Sequence, residues 1–128
     1  MENKKKNTKA LKIATLIVQL ILSASLLWAG ITKLFQPVAT LAKMWPWVAQ
    51  NLILVKLTGV IDLIGALGLL LPLFILKRKP YAKYAAIGIF ILMICASIFH
   101  IRRGEASLIG INIIFSLMAL FIAWRTPR

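Results

Sequence analysis

Four long apolar stretches, separated by short polar or basic segments, make up most of this sequence, and they cover residues 13–34, 52–76, 81–99 and 108–124. A helix that crosses the hydrocarbon core of a bilayer usually needs about 17–25 mostly apolar residues. All four stretches have that length. The pattern therefore predicts an all-α protein, in which residues 1–128 form a single membrane domain built as a four-transmembrane-helix bundle.

The segment between the first two stretches, from Gln36 to Asn51, contains two prolines and two tryptophans, Trp45 and Trp47. It is too interrupted to cross a bilayer, and tryptophan favours the headgroup layer. We therefore expect an interfacial loop or short helix on the membrane surface. The first apolar stretch outlasts the 7–15 residues of a typical signal-peptide core, so we expect it to be retained as a span.

Basic residues are distributed unevenly about the predicted spans. Eleven of the sixteen Lys and Arg residues lie on the side that holds both chain ends and the KRKPYAK segment, and five lie on the other side. Cytoplasmic loops of membrane proteins carry the positive excess, which predicts that both termini are cytoplasmic. The formal charge of +13 lies between apolar stretches and not on one folded face, so it favours anionic lipids as partners and argues against nucleic acid.

Composition narrows the chemistry further. Hydrophobic residues make up 61% of the chain and the mean hydropathy is +0.90, above the usual range of soluble domains. The single cysteine, Cys95, excludes an intrachain disulfide and is most simply a small buried apolar residue. One histidine, His100, cannot supply two haem ligands from one chain, and no zinc spacing occurs, so neither haem nor metal is expected.

One acidic residue, Asp62, lies within the second predicted span. A charge at that depth costs about 2.5–3.5 kcal/mol on insertion scales, so Asp62 needs a partner. The first span carries a polar stripe that includes Gln19 and Lys33, and the fourth carries Asn112. Lys33, Asp62 and, at the end of the third span, His100 are expected to meet in the outer half of the membrane, with Arg102 and Arg103 at the mouth. The alternative is a buried ion pair that only fixes helix order.

Several motifs resemble the DoxX-like family of small bacterial four-helix membrane proteins. They are WAGITKL at the end of the first span, GVIDLIGALGLLLP in the second, ASIFHIRRGE closing the third and AWR ending the last. Asp62 stands where the family more often has Glu. The resemblance implies the bacterial cytoplasmic membrane as location, and Lys33, Asp62 and His100 as a polar centre rimmed by Arg102 and Arg103.

The family's link to a thiosulfate:quinone oxidoreductase implies a quinone-linked redox membrane subunit, which takes electrons from a redox partner protein and holds a quinone near Lys33, Asp62 and His100. Gln19, Asn112, Arg102 and Arg103 are the expected binding residues. Two alternatives stay open: an assembly or chaperone-type interaction protein, and a small proton-coupled transporter. The transporter alternative is weakened because small proton-coupled exporters place their buried acid in the first span, whereas Asp62 is in the second. The sequence does not decide whether the protein is an enzyme, or whether it forms a homo-oligomer.

Overall fold

The computed structural model describes residues 2–74, 81–105, 107 and 109–125. Within these residues every regular element is helical and no strand occurs, which confirms the predicted all-α class. The α-helices are α1 (Glu2–Phe35), α2 (Val38–Met44), α3 (Leu52–Phe74), α4 (Tyr81–Arg102) and α5 (Gly110–Arg125), and a 3₁₀ helix covers Pro46–Gln50. Residues 75–80 and 108, which include the predicted end of the second span and start of the fourth, lie outside the described residues.

Among the described residues, three helices are long and apolar enough to cross a membrane, over Lys9–Phe35, Leu52–Leu73 and Ala82–Arg102. They match the first three predicted spans. The fourth, α5, has 16 residues, which corresponds to a rise of roughly 24 Å, shorter than a hydrocarbon core of about 30 Å. The structure thus contains three candidate spans and one shorter apolar helix.

The four longer helices form a bundle in which each packs against two neighbours. Helix α1 contacts α3 and α5, and α4 contacts the same two helices. One end of the bundle is filled by apolar side chains from all four helices, among them Leu22, Leu26, Leu69, Ile89 and Ile122. We call this the closed end, and the opposite end, where α1 finishes and α3 begins, the cap end.

The cap end is covered by the chain between α1 and α3. Helix α2 and the 3₁₀ helix, together residues 38–50 and here called the cap, fold onto the bundle through a cluster that contains Leu41, Trp47, Val48 and Val55. Trp47 is only 6% exposed. The expected short helix is present, but Trp47 packs inside the protein because Phe99 of α4 lies against its ring at a centroid distance of 5.5 Å.

The outward faces of the bundle helices are covered with exposed Ile and Leu, as expected for lipid contact. Cys95 lies on one such face and is exposed, so its interpretation as a buried residue is wrong. The reason is helical spacing: Ile91 and Ile98, one turn before and after Cys95, are both more than half exposed, which places position 95 on the outward side of α4.

Candidate functional site

A close helix crossing brings Lys33 to Asp62. Gly30 of α1 and Gly59 of α3 face each other, and a Cβ atom added at Gly59 would lie 3.0 Å from Cβ of Lys33. Because Gly59 has no side chain, Lys33 passes over it and places Nζ 2.8 Å from Oδ2 of Asp62. The two side chains are 14% and 3% exposed, respectively. Of the two expected partners of Asp62, Lys33 and His100, the structure pairs it with Lys33.

The end of α4 determines the surroundings of His100. Gly104 adopts a left-handed conformation with φ 77°, and the chain then turns back so that the N–H groups of Gly104 and Glu105 donate to the carbonyls of Ile101 and His100. This is a Schellman motif, which glycine favours because it lacks a Cβ atom. The turn places Oε1 of Glu105 3.2 Å from Nδ1 of His100.

The local charges keep Glu105 ionised. The hydrogen bond from His100 is the main cause that lowers the pKa of Glu105 below its ordinary value, and the Arg103 side chain, with Nε 3.0 Å from Oε1, lowers this pKa further. An ionised carboxylate only accepts hydrogen bonds, so Nδ1 of His100 must donate. The other ring nitrogen, Nε2, has no hydrogen-bond partner among the described residues.

A pH-dependent stability follows from this arrangement. A lowered pKa in the folded state stabilises the protein fully above the ordinary value of 4.5 and loses that effect as pH falls through the folded-state pKa. We expect thermal stability to decline on acidification below about pH 4.5, and Glu105→Gln to make the decline shallower. Thermal unfolding in detergent between pH 3 and 7 measures both slopes. Identical slopes would contradict the pairing.

A cavity of about 790 Å³ lies between the four bundle helices and the cap. This volume is within the range of about 300–1,000 Å³ that is typical of small-molecule sites. Most of the lining is apolar or aromatic. Its aromatic members are Trp28, Trp45, Trp47 and Phe115, and its polar members are Ser25, Lys33, Thr58, Asp62, His100 and Asn112. Lys33, Asp62, His100 and Asn112, all predicted site residues, therefore share one cavity.

Asn112, in the first turn of α5, differs from the other neutral polar residues of this wall. The hydroxyls of Ser25 and Thr58 donate to carbonyls of their own helices. Asn112 is only 9% exposed. Its side-chain amide has no hydrogen-bond partner within the described part of the chain. The arrangement therefore leaves a donor and an acceptor for a molecule in the cavity.

Three of the predicted binding residues do not line this cavity. Gln19 is 5% exposed and donates to the carbonyl of Leu69 at 2.6 Å, which ties α1 to α3 towards the closed end. Arg102 is exposed at the end of α4. Arg103 bonds Glu105 and reaches Oε1 of Gln50 in the cap at 3.5 Å. The structure therefore gives Gln19 and Arg103 contacts within the protein, and a ligand-binding role for the three stays a prediction.

Sequence reasoning missed the contribution of Lys56. Its Nζ donates to the carbonyls of Lys33 and Leu34 at 3.2 and 2.9 Å. The last carbonyls of a helix lack partners within the helix, and a cation near them is favourable. Lys56 thus fixes the last turn of α1, from which Lys33 extends. The sequence pattern gave no signal for the contact of Lys56 with α1, because this contact depends on the register between α1 and α3.

Sequence reasoning also missed the part that the cap plays in the cavity. Trp45 and Trp47 line the cavity from the cap end. Nζ of Lys33 lies 5.7 Å from the centroid of the Trp45 ring, within cation–π range. The two tryptophans flank Pro46 immediately before α3. The available signal for a role in the cavity was their position shortly before α3, the helix that carries Asp62.

Comparison with known proteins agrees with the family resemblance of the sequence. The model of the DoxX-like family matches residues 17–122, a range that includes every predicted site residue. The chain belongs to the DoxX-like family. Together with the long apolar helices, this DoxX-like match supports a membrane protein. No curated protein and no solved structure matches the chain.

Proposed function

We propose that this DoxX-like protein is a membrane subunit that binds a quinone headgroup in the cavity and passes to it reducing equivalents from a partner protein. The observation that carries the proposal is the Asn112 amide, which has no hydrogen-bond partner within the described part of the chain and lines the same cavity as the Lys33–Asp62 ion pair. A polar group that lacks a partner in an apolar wall indicates a ligand with its own polar atoms.

The residues of the cavity suit a quinone headgroup. Such a headgroup is flat, conjugated and uncharged, and it presents two carbonyl acceptors. The aromatic lining offers ring faces and edges to it, and Asn112 and Lys33 carry N–H donors. The charges of Lys33 and Asp62 offset each other at 2.8 Å, so the wall does not require a charged ligand.

The ionisable residues can serve the proton chemistry. A bound quinone supplies a two-electron acceptor that also takes up two protons. Asp62 can hold or release a proton at its carboxyl group, and Nε2 of His100 can do so at the other side of the cavity. Lys33 stabilises negative charge that develops beside it. The chain's own side chains do not donate electron pairs in such a step, so a redox partner protein provides the electrons.

Quinone content and binding test the proposal directly. Lipid extracted from the purified protein is expected to contain quinone above its share of the surrounding membrane, measured by mass spectrometry. Quinones quench tryptophan fluorescence on contact, and three of the four tryptophans line the cavity. In a Trp124→Phe background, Asn112→Leu is expected to weaken quinone binding at least about tenfold, which corresponds to 1.4 kcal/mol.

Ser97→Ala is the matched control, because the Ser97 hydroxyl donates to Met93 within α4 and does not line the cavity. This variant should bind quinone like the unchanged protein. Absence of quinone from the extract together with no quenching would contradict the proposal. Retention of a client membrane protein in the same preparation would then favour the assembly-factor alternative.

We further propose four crossings of the bacterial cytoplasmic membrane with both termini inside, which places the cap end in the outer half of the bilayer. The basic excess beside both termini supports this orientation, and Lys9 and Lys12 are exposed where they can contact anionic lipids. A short span such as α5 is tolerated through local thinning of the bilayer.

A reporter enzyme that is active only in the cytoplasm tests the orientation. Fused after Arg128 it is expected to be active, because the positive-inside rule keeps this end in the cytoplasm. Inserted beside Lys43 in the cap it is expected to be silent. Activity at Lys43 with silence at Arg128 would reverse the orientation, and activity at both would mean that one of α3, α4 and α5 does not cross.

A further inference from the structure

The cavity has an opening on the side of the bundle, between α1 and α5. Three residues that line the cavity and are also exposed mark this opening: Ala24 and Trp28 on α1 and Ile111 on α5. Two further exposed lining residues, Met44 and Pro46, belong to the cap. Trp28 and Ile111 are 56% and 54% exposed. We call these three residues the side opening.

The side opening faces hydrocarbon and not water. Ala24 and Trp28 lie eleven and seven residues before the end of α1, which corresponds to roughly 16 and 10 Å along the helix. Both are within the apolar stretch Lys9–Phe35. The Ser25 hydroxyl, next to Ala24, is bonded to the carbonyl of Ile21 at 2.8 Å. The rim thus presents apolar surface at membrane depth.

The direct route from the cap end is obstructed by the cap. Trp45 lies over Lys33, and the Trp47 ring lies against His100 with a centroid distance of 6.4 Å. Trp47 is also packed against Phe99 and is 6% exposed. Met44 and Pro46 of the cap line the cavity and are exposed, so a path from water to Asp62 would pass these residues and the packed rings. A molecule dissolved in the bilayer meets the side opening instead.

We infer that the ligand enters from the hydrocarbon through the side opening and is a neutral lipid, whose headgroup lies against Asn112 and the Lys33–Asp62 pair while its long apolar tail stays between Ala24, Trp28 and Ile111. This inference rests on the proposed function and specifies its substrate class: a quinone with a long prenyl tail.

The test compares two quinones with the same headgroup, one without a tail and one with a long prenyl tail. Binding to the full chain in lipid nanodiscs is followed by quenching of the cavity tryptophans in the Trp124→Phe background. Ala24→Phe narrows the side opening from α1, and Ile111→Phe narrows it from α5. Each variant is compared with the unchanged protein for the same probe, so partitioning of the probe into lipid cancels.

Both variants are expected to weaken binding of the tailed quinone at least about tenfold and to change binding of the tailless quinone less than about twofold. Leu20→Phe is the matched control, because Leu20 lies one turn from Ala24 on the same exposed side of α1 and does not line the cavity. It should change neither affinity. Ile111→Phe gives an independent answer if Ala24→Phe does not fold.

Three results would overturn the inference. Equal loss of both probes would show that the substitutions act on the headgroup site, and equal retention of both would show that the tail does not occupy the opening. In both cases the proposed function stands. If the unchanged protein binds neither probe, the proposed function fails and the inference fails with it.

Discussion

Replacing Lys33 with methionine is expected to lower the free energy of unfolding by about 3–5 kcal/mol, the usual cost of removing one partner of a buried ion pair. Methionine preserves the length of the side chain but not its charge. Asp62, whose side chain is only 3% exposed, would lose the Nζ atom that lies 2.8 Å from its carboxylate. The remaining acid would then be buried in an apolar bundle without a charged partner.

Denaturation with sodium dodecyl sulfate in mixed micelles, followed by circular dichroism, measures this loss. Lys43→Met is the matched control, because Lys43 is an exposed residue of the cap with no ion pair among the described residues. It should change stability by less than about 0.5 kcal/mol, as is usual for surface substitutions. Equal effects of the two substitutions would show that the Lys33–Asp62 pair does not stabilise the fold.

The double variant Lys33→Met with Asp62→Asn separates stability from function. Removing both charges is expected to recover part of the lost stability, because no uncompensated buried charge remains. Under the proposed function the recovered protein folds but no longer supports electron transfer to quinone. A stable double variant that keeps full activity would mean that the ion pair only fixes the order of the helices.

The need of Asp62 for a cationic partner was predictable from sequence, because few arrangements can accommodate a charge that is buried in a membrane. The cost of an acid in a span requires a partner, and few cations lie at a depth from which they can reach it. Lys33, near the end of the preceding span, satisfied both conditions. The choice between Lys33 and His100 was not predictable, because it depends on Gly59, over which only Lys33 passes.

The cap and the cavity were not predictable, for a different physical reason. The pattern of residues 36–51 showed a segment too interrupted to cross the bilayer, but a tryptophan that favours headgroups also packs well in a protein interior. Which environment Trp47 takes depends on Phe99, a residue some fifty positions later. The Asn112 position was found from its stripe on α5, whereas its lack of a partner is a property of the assembled bundle.

A second large effect is expected at the crossing of α1 and α3, where Gly30→Ala should destabilise the protein by about 1–3 kcal/mol, the typical cost of overpacking. The added Cβ would lie 2.7 Å from Cγ of Leu63 and 2.8 Å from the carbonyl oxygen of Gly59. Leu63 can rotate, but the Gly59 oxygen belongs to the backbone of α3. The two helices must therefore move apart, which also lengthens the reach from Lys33 to Asp62.

Gly88→Ala is the matched control for this substitution, because Gly88 is also inside a helix and a Cβ added there meets nothing within 4 Å. Alanine in place of an unconstrained helical glycine should raise stability by roughly 0.5–1 kcal/mol, since glycine loses more backbone entropy on folding. The two substitutions add the same methyl group and are predicted to have opposite signs in the same unfolding assay. If Gly30→Ala were as stable as Gly88→Ala, the close approach of α1 and α3 would be refuted, and with it the geometry that brings Lys33 to Asp62.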